Sequence, residues 1–507
     1  MAFLIEQKIK GKTYLYEVES YYDKDKKQPR QRRKYLGRKP SEKSVKIQDI
    51  SSLTTKNFGN IFLLEEIAKK LGLTEIVSIA FPEHYNELLY LAFYKIIEAE
   101  PYYLFEHWFD EQYSNKCKRM EYQSISRFTS EIEKMQNQQY QFFELWTKHL
   151  SPIETIYYDI TSISSYSENI DFVEWSYNRD GEQLPQINLG VVSCKRSSLP
   201  IFYRTYQGSI VDVSTLKNTV KYFKSFDLTD IILVTDKGFY SGKNITELKN
   251  SEFQFIIPLP YTLKKSKGIV KKYFNKITSP KNAFQYKNDV LYYQSDIIEI
   301  EKNNYYANIY FNEKRKVEQN QIFLNKILDI ENQYIKNQFS SRKQYNDFKK
   351  DKLGSNAKYF KYNIKTQKLE RNENTLKTDL AKMGFFIMLT NKELDKTQIL
   401  DYYRNKDMVE KIFDNLKNEL DENRLKTHNQ TNTEARLFIN FLSLILYSLI
   451  VKTMQNKKLI KKFTVKEIFA ELKKIKITTI KNQKPFLSEI TKTQKIFFDA
   501  FDIKCQI

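Results

Sequence analysis

Two short apolar runs, each closing on an aspartate, constrain this chain more than any other feature. Thr155-Ile156-Tyr157-Tyr158-Asp159-Ile160-Thr161 reads as a strand carrying one acid. Ile231-Ile232-Leu233-Val234-Thr235-Asp236-Lys237-Gly238 reads as a buried strand that stops at Asp236 and turns at Gly238. Between them, residues 186–192 and 199–206 form a strand pair turning at 195–198, and 213–226 has helical periodicity. Residues 253–258 give a further strand. Three strands, a helix, a strand, a helix and a strand predict a mixed α/β sheet. Sites in such sheets gather where strand ends meet neighbouring loops. Asp159 and Asp236 become neighbours if their strands pair in the middle of that sheet.

A third acid lies on a helix predicted over 403–417. At about 100° per residue, Tyr403, Lys406, Glu410 and Lys417 share a stripe roughly 60° wide. Val409, Ile412, Phe413 and Leu416 make the adjoining apolar stripe that seats the helix on a core. One carboxylate flanked by two cations and a phenol suits a metal ion beside a phosphodiester. Two strand acids and one helix acid are enough to hold two divalent cations about 4 Å apart. Magnesium or manganese fits an all-oxygen site best. The stretch from Asp236 to Glu410 is longer than closure of the sheet needs. An inserted subdomain over 261–380 takes up the excess, with strands such as 290–293 and 305–310, then helix from 316 to 348. Residues 384–390 return to the main sheet.

The charge is unevenly spread. The chain of 507 residues has a net charge of +21. Residues 1–46 carry 14 basic and 6 acidic side chains, and 451–507 carry 14 and 5, so both ends are basic and the centre is nearly balanced. Basic ends suit a polyanion, though solvation in a lysine-rich composition gives the same pattern. The expected organisation is a basic β-hairpin (1–46), a helical DNA-binding region (47–150), a sheet core in two parts (151–260 and 381–450) around the insertion (261–380), and a basic helical region (451–507). Arg32, Arg33 and Lys34 are candidate phosphate contacts, or a solvated turn. Residues 63–74, closed by Gly72, could begin a helix-turn-helix, a signal any glycine-capped amphipathic helix gives.

Other classes are disfavoured. Cys117, Cys194 and Cys505 are scattered and odd in number, which argues against a disulfide framework and for a reducing cytoplasm. Four histidines without a paired spacing argue against zinc. The N-terminus lacks a signal-peptide pattern, and the most apolar run, 437–451, reads as a buried helix rather than a membrane span. Neither phosphate-loop nor dinucleotide glycine pattern is present, so no nucleotide cofactor is expected. Taken singly, each acid has a plain alternative. A strand-end aspartate is ordinarily a turn or cap, and a lone helix glutamate such as Glu410 is ordinarily solvated. Asp212 reads as a helix cap. Asp414, about 40° from Glu410 on the same helix, is the nearest rival, ahead of Asp171 and Asp230.

In this order, and with Tyr403, Lys406 and Lys417 around the last acid, the three acids resemble DDE-type bacterial insertion-sequence transposases. The resemblance is to the subset marked by a tyrosine-arginine-glutamate-lysine signature and a β-rich insertion domain. Residues 207–216, 235–241 and 434–442 look similar too. The resemblance implies an RNase H-like catalytic core, two magnesium (or manganese) ions held by Asp159, Asp236 and Glu410, and double-stranded DNA as partner. It implies hydrolysis at the element's end, attack of the freed 3′-hydroxyl on target DNA, and a homodimer assembled on DNA. Tyr403, Lys406, Lys417 and Lys237 would contact DNA near the cut. Lys406 stands where the signature has arginine, giving a point charge in place of a planar fork. Relatives can stack a flipped base on an insertion tryptophan. Here Trp108, Trp146 and Trp175 lie outside the insertion, leaving Tyr293 or Tyr306 as candidates or as ordinary sheet residues. Two other readings stay open: a metal nuclease that only hydrolyses, and a non-catalytic repressor.

Overall fold

Alternating aromatic and charged residues set the first strands. In the computed structural model the described residues are 2–9, 12–23, 26–38, 53–167, 169–226, 228–337, 342–363, 366, 368–480 and 484–505. They fall into two units, one drawn from 1–56 and 476–488, the other from 57–475 and 489–506. In the first, β1 (Ala2–Ile9), β2 (Lys12–Asp23) and β3 (Gln28–Arg38) form an antiparallel meander. The expected hairpin therefore gains a strand from residues 2–9. Arg32 faces Glu19 and Lys34 faces Glu17 across the ladder, opposite-charge pairs that favour this register. A second small sheet joins β4 (Thr54–Asn57) to strands Lys476–Thr479 and Phe486–Leu487. The boundary expected at residue 46 lies outside the described residues.

The second unit opens with six helices: α1 (Gly59–Lys70), α2 (Leu73–Ala80), α3 (Tyr85–Glu98), α4 (Phe105–Asp110), α5 (Tyr122–Lys134) and α6 (Gln136–His149). Gly72 links α1 to α2 at φ +75°, and a Cβ there would stand 2.7 Å from the His149 ring. Both facts require glycine. The sheet follows, with β5 (Thr155–Ser165), β6 (Gln186–Cys194), β7 (Pro200–Gln207), α7 (Asp212–Ser225), β8 (Ile232–Val234), α8 (Gly242–Asn250) and β9 (Gln254–Pro258). Next come α9 (Lys264–Tyr273), β10 (Ala283–Tyr286), β11 (Asp289–Ile300), β12 (Asn303–Phe311), α10 (Glu313–Asn337), α11 (Arg342–Phe348), β13 (Phe360–Asn363), β14 (Lys368–Arg371) and α12 (Glu373–Leu380). The chain closes through β15 (Phe385–Thr390), α13 (Lys396–Arg404), α14 (Asp407–Asp414), β16 (Arg424–Leu425), α15 (Gln430–Asn456), α16 (Val465–Leu472) and α17 (Lys492–Ala500).

Apart from β13 and β14, which pair with each other, these strands make one mixed sheet in the order β10-β11-β12-β15-β9-β8-β5-β6-β7, with β16 also on β5. Neighbours β8 and β9 run parallel to β5, and β6 runs antiparallel. Strand β5 is central and buried along its length except at Asp159. Burial of long apolar strands on both faces explains their near-continuous hydrophobic sequences. Helix α15 has an 18-residue window long and apolar enough to cross a membrane, yet 78% of that window is buried in the protein. It serves as a core helix.

Two features differ from the sequence reading. Strands β10 to β12, expected inside a separate insertion, continue the main sheet through the antiparallel β12–β15 pair. Their apolar alternation faces a shared core of Ile309, Phe311, Phe385 and Ile387. Only the part after β12 has a core of its own, built on Ile327, Ile330, Phe348, Leu353 and Leu376. The 451–507 region is likewise divided: α16 and α17 belong to the second unit, the intervening strands to the first.

Gly208, just past β7, is fixed by space rather than by dihedral freedom. A Cβ there would overlap the carbonyl oxygens of Gln186 and Glu174. Both are backbone atoms and have no room to yield. Gly208→Ala is expected to lower stability by about 3 kcal/mol in thermal or urea unfolding. An unchanged midpoint would mean that the loop shifts freely.

Candidate active site

Parallel register brings the two aspartates together. The last pairs of β5 and β8 are Ile156 with Leu233 and Tyr157 with Val234. Two residues further along each strand direction stand Asp159, in the middle of β5, and Asp236, just past the end of β8. Asp236 leaves the strand in extended conformation and opens the short turn Lys237–Phe239, which its side chain does not cap. The cap reading thus fails for Asp236, whose carboxylate instead accepts a bond from the Tyr403 hydroxyl at 3.4 Å.

The helix predicted over 403–417 is broken. Helix α13 ends at Arg404, and the amides of Lys406, Met408 and Val409 bond three residues back rather than four. After Asp414 the winding loosens into a wider turn over Asn415–Glu419. Tight winding followed by loose winding departs from a constant 100° step. The apolar stripe survives, with Val409, Ile412, Phe413 and Leu416 buried. Of the polar stripe, Tyr403, Lys406 and Glu410 stay together. Lys406 turns inward, 6% exposed, while Lys417 is drawn to Asp180.

Lys406 is the centre of the cluster. Its Nζ lies 2.8 Å from Asp159 Oδ2 and 3.6 Å from Glu410 Oε1. Burial works against this ammonium, but Asp159, then Asp236 and Glu410, outweigh it and hold its pKa above the ordinary lysine value. All three acids therefore converge on one buried positive charge. Glu410 itself remains exposed on the first turn of α14, where a carboxylate suits the helix dipole. Burial chiefly, then Asp236, pushes the Tyr403 phenol up to about 12. Tyr403 is thus a neutral donor at physiological pH.

A fourth carboxylate joins them. Asp212 begins α7, but Val211 is the cap residue, and the Asp212 side chain instead pairs with Arg179. Arg179 also donates to Ser162 Oγ (3.0 Å) and Asn188 Oδ1 (3.1 Å). Asn188 holds the carbonyls of Gly208 and Ile210, each at 3.0 Å, and so fixes the loop that delivers Asp212. Burial first, then Asp159 and Asp236, raise the Asp212 pKa against the pull of Arg179. Gly238 allows this approach, since a Cβ there would lie 3.1 Å from Asp212 Oδ2. Neither Arg179 nor Asp212 was legible as a site residue. The only signal was Asp212 lying within a segment that resembles the family.

The other predicted residues are scattered. Lys237 is exposed beside Asp236. Arg32, Arg33 and Lys34 are exposed on β3 of the first unit. Helix α2, second in the candidate helix-turn-helix, carries Glu75 and no cation, which suits a DNA groove poorly. Tyr293 packs on Tyr310 and donates to Asn308, as a sheet residue does. Trp108 and Trp146 are buried, while Trp175 and Tyr177 are exposed at 70% and 83% in the loop that carries Arg179 and Asp180. Among the described residues, no three His, Cys, Asp or Glu side chains are already drawn into a metal-binding group. The donor set still fits a hard cation: carboxylate oxygens only, arranged around a positive charge that the Lys406 ammonium now supplies.

Residues 151–446 match the family model described as a transposase DDE domain. That span runs from just before β5 into α15 and includes Asp159, Asp236 and Glu410. No curated protein matches the chain. Among solved structures, a piggyBac transposase synaptic complex with hairpin DNA is similar at 9% identity and a TM-score of 0.35, over 82% of this chain and 70% of that one. That likeness is too slight to carry any inference about this chain. The family model covers more than half of the sequence, and the chain belongs to the DDE transposase family, enzymes of DNA transposition.

Proposed function

We propose that the enzyme cleaves DNA at the ends of an insertion sequence and joins the freed 3′-hydroxyl to target DNA by transesterification. The observation that carries this reading is the convergence of Asp159, Asp236 and Glu410 on Lys406, from the middle of β5, the end of β8 and helix α14. The strand order β7-β6-β5-β8-β9, with β6 antiparallel and β8 and β9 parallel to β5, supports an RNase H-like core. Bound among the three acids, two divalent ions such as magnesium would activate the attacking oxygen and stabilise the leaving one. The chain's own residues prepare the site. Tyr403 offers a neutral hydroxyl to a phosphate oxygen and orients Asp236. Lys406 gathers Asp159 and Glu410, then supplies a point charge to the phosphodiester. Lys417 exchanges Asp180 for a phosphate when DNA enters. Lys237, beside Asp236, meets the same strand. Two copies act together, one on each end of the element.

A wild-type assay tests this directly. Protein, end-containing DNA and a target plasmid are incubated in magnesium, and joined product is expected. Nicks without joining would favour a purely hydrolytic nuclease. Tight binding with no cleavage in any divalent metal would favour a repressor and sink the catalytic reading.

A further inference from the structure

On the side of α14 away from Glu410 there is a cavity of about 650 Å³. Lys195, Lys287, Arg404, Lys411 and Lys452 face it, against one acid, Asp407. Among the described residues, none of these five cations forms an ion pair with a carboxylate. Five positive charges around one cavity repel one another unless an anion sits among them. Two buried hydroxyls in its lining, Tyr157 Oη and Ser448 Oγ, have no hydrogen-bond partner among the described residues. Buried polar groups are ordinarily satisfied, and an orphan marks a missing ligand or water.

The cations are also held in position. The Lys195 ammonium lies 3.9 Å from the Tyr402 ring centroid, and the Arg404 guanidinium 4.5 Å from that of Tyr286. Lys452 donates to the carbonyls of Ser197 (2.7 Å) and Arg196 (3.1 Å), which leaves one of its three donors for a ligand. Burial pulls the pKa of Lys452 down, so a nearby anion would offset the cost of burying its charge. The volume lies within the usual range for small-ligand sites.

We infer that this cavity is a phosphate-binding site, separate from the acid cluster, that takes two or more neighbouring phosphate groups. Fixed cations and hydroxyl donors at several points around one space match a chain of phosphates better than a single carboxylate. The phosphates come either from a DNA strand or from a free polyphosphate.

Titration of the full chain with pyrophosphate by calorimetry, without divalent metal, tests the inference. Binding is expected, and K195Q/K452Q should weaken it by about tenfold. Tyr157→Phe and Ser448→Ala, which each remove one hydroxyl and leave the charges intact, should weaken it about threefold. K221Q/K224Q, the same charge change on exposed α7 lysines, should leave affinity unaltered. If a DNA duplex competes with pyrophosphate, the natural occupant is a strand; if it does not, it is a free polyphosphate. Absence of binding, or equal weakening by both double variants, overturns the inference. Because no DNA cleavage is measured, this result stands apart from the proposed transposition activity.

Discussion

Glu410→Ala abolishes magnesium-dependent cleavage and joining, by at least about a thousandfold, and leaves the protein folded and bound to DNA. The reasoning is geometric. Glu410 is 64% exposed in its side chain and touches the cluster only through Lys406, 3.6 Å away. Removing an exposed helix carboxylate costs little stability, typically within about 0.5 kcal/mol. Loss of activity would then report chemistry rather than unfolding. Thermal melting and an end-binding assay on the same preparation separate the two. A variant that still nicked DNA at near wild-type rate would remove Glu410 from the site and turn attention to Asp414 or Asp212.

Lys406→Met has the largest expected effect on stability within the site. It strands Asp159, only 18% exposed, opposite Asp236 and beside Glu410 without a counter-charge. Breaking a fully buried pair by removing one partner costs about 3–5 kcal/mol. Asp159 and Glu410 keep some solvent, so about 2 kcal/mol is expected here in metal-free buffer. Magnesium should return most of that loss to the variant and little to the wild type. The folded pKa of Lys406 lies above its unfolded value. Its contribution is therefore complete below the unfolded value of about 10.4 and lost only as pH rises through the folded pKa. Wild type and variant should differ by a constant amount from neutrality to about pH 10, then converge. Identical melting of the two proteins without metal would show that the ammonium holds nothing together.

Much of the sheet was legible because its strands are simple. Residues 155–165, 186–194, 254–258 and 385–390 are apolar runs bounded by turns, and burial on both faces is what makes such runs continuous. The position of Asp236 beside Asp159 followed from strand pairing, since parallel register carries the end of β8 alongside the middle of β5. What the sequence concealed was non-local. Nothing local to 405–406 or 415–419 marks where the helix tightens and then loosens. Strands β10 to β12 alternate as any edge hairpin does, and only β15 decides which sheet they join. Arg179 sits in an irregular loop with no periodicity, so its grip on Asp212 depends wholly on the fold around it.

The buried lysine between the strand acids has one further consequence. A site that carries its own counter-ion does not need a divalent ion to keep its shape. Chelation should silence this enzyme without melting it, and resupplying the ion should revive it without refolding. The resting protein is thus assembled ahead of its chemistry, with a tethered amine already holding the acids in place.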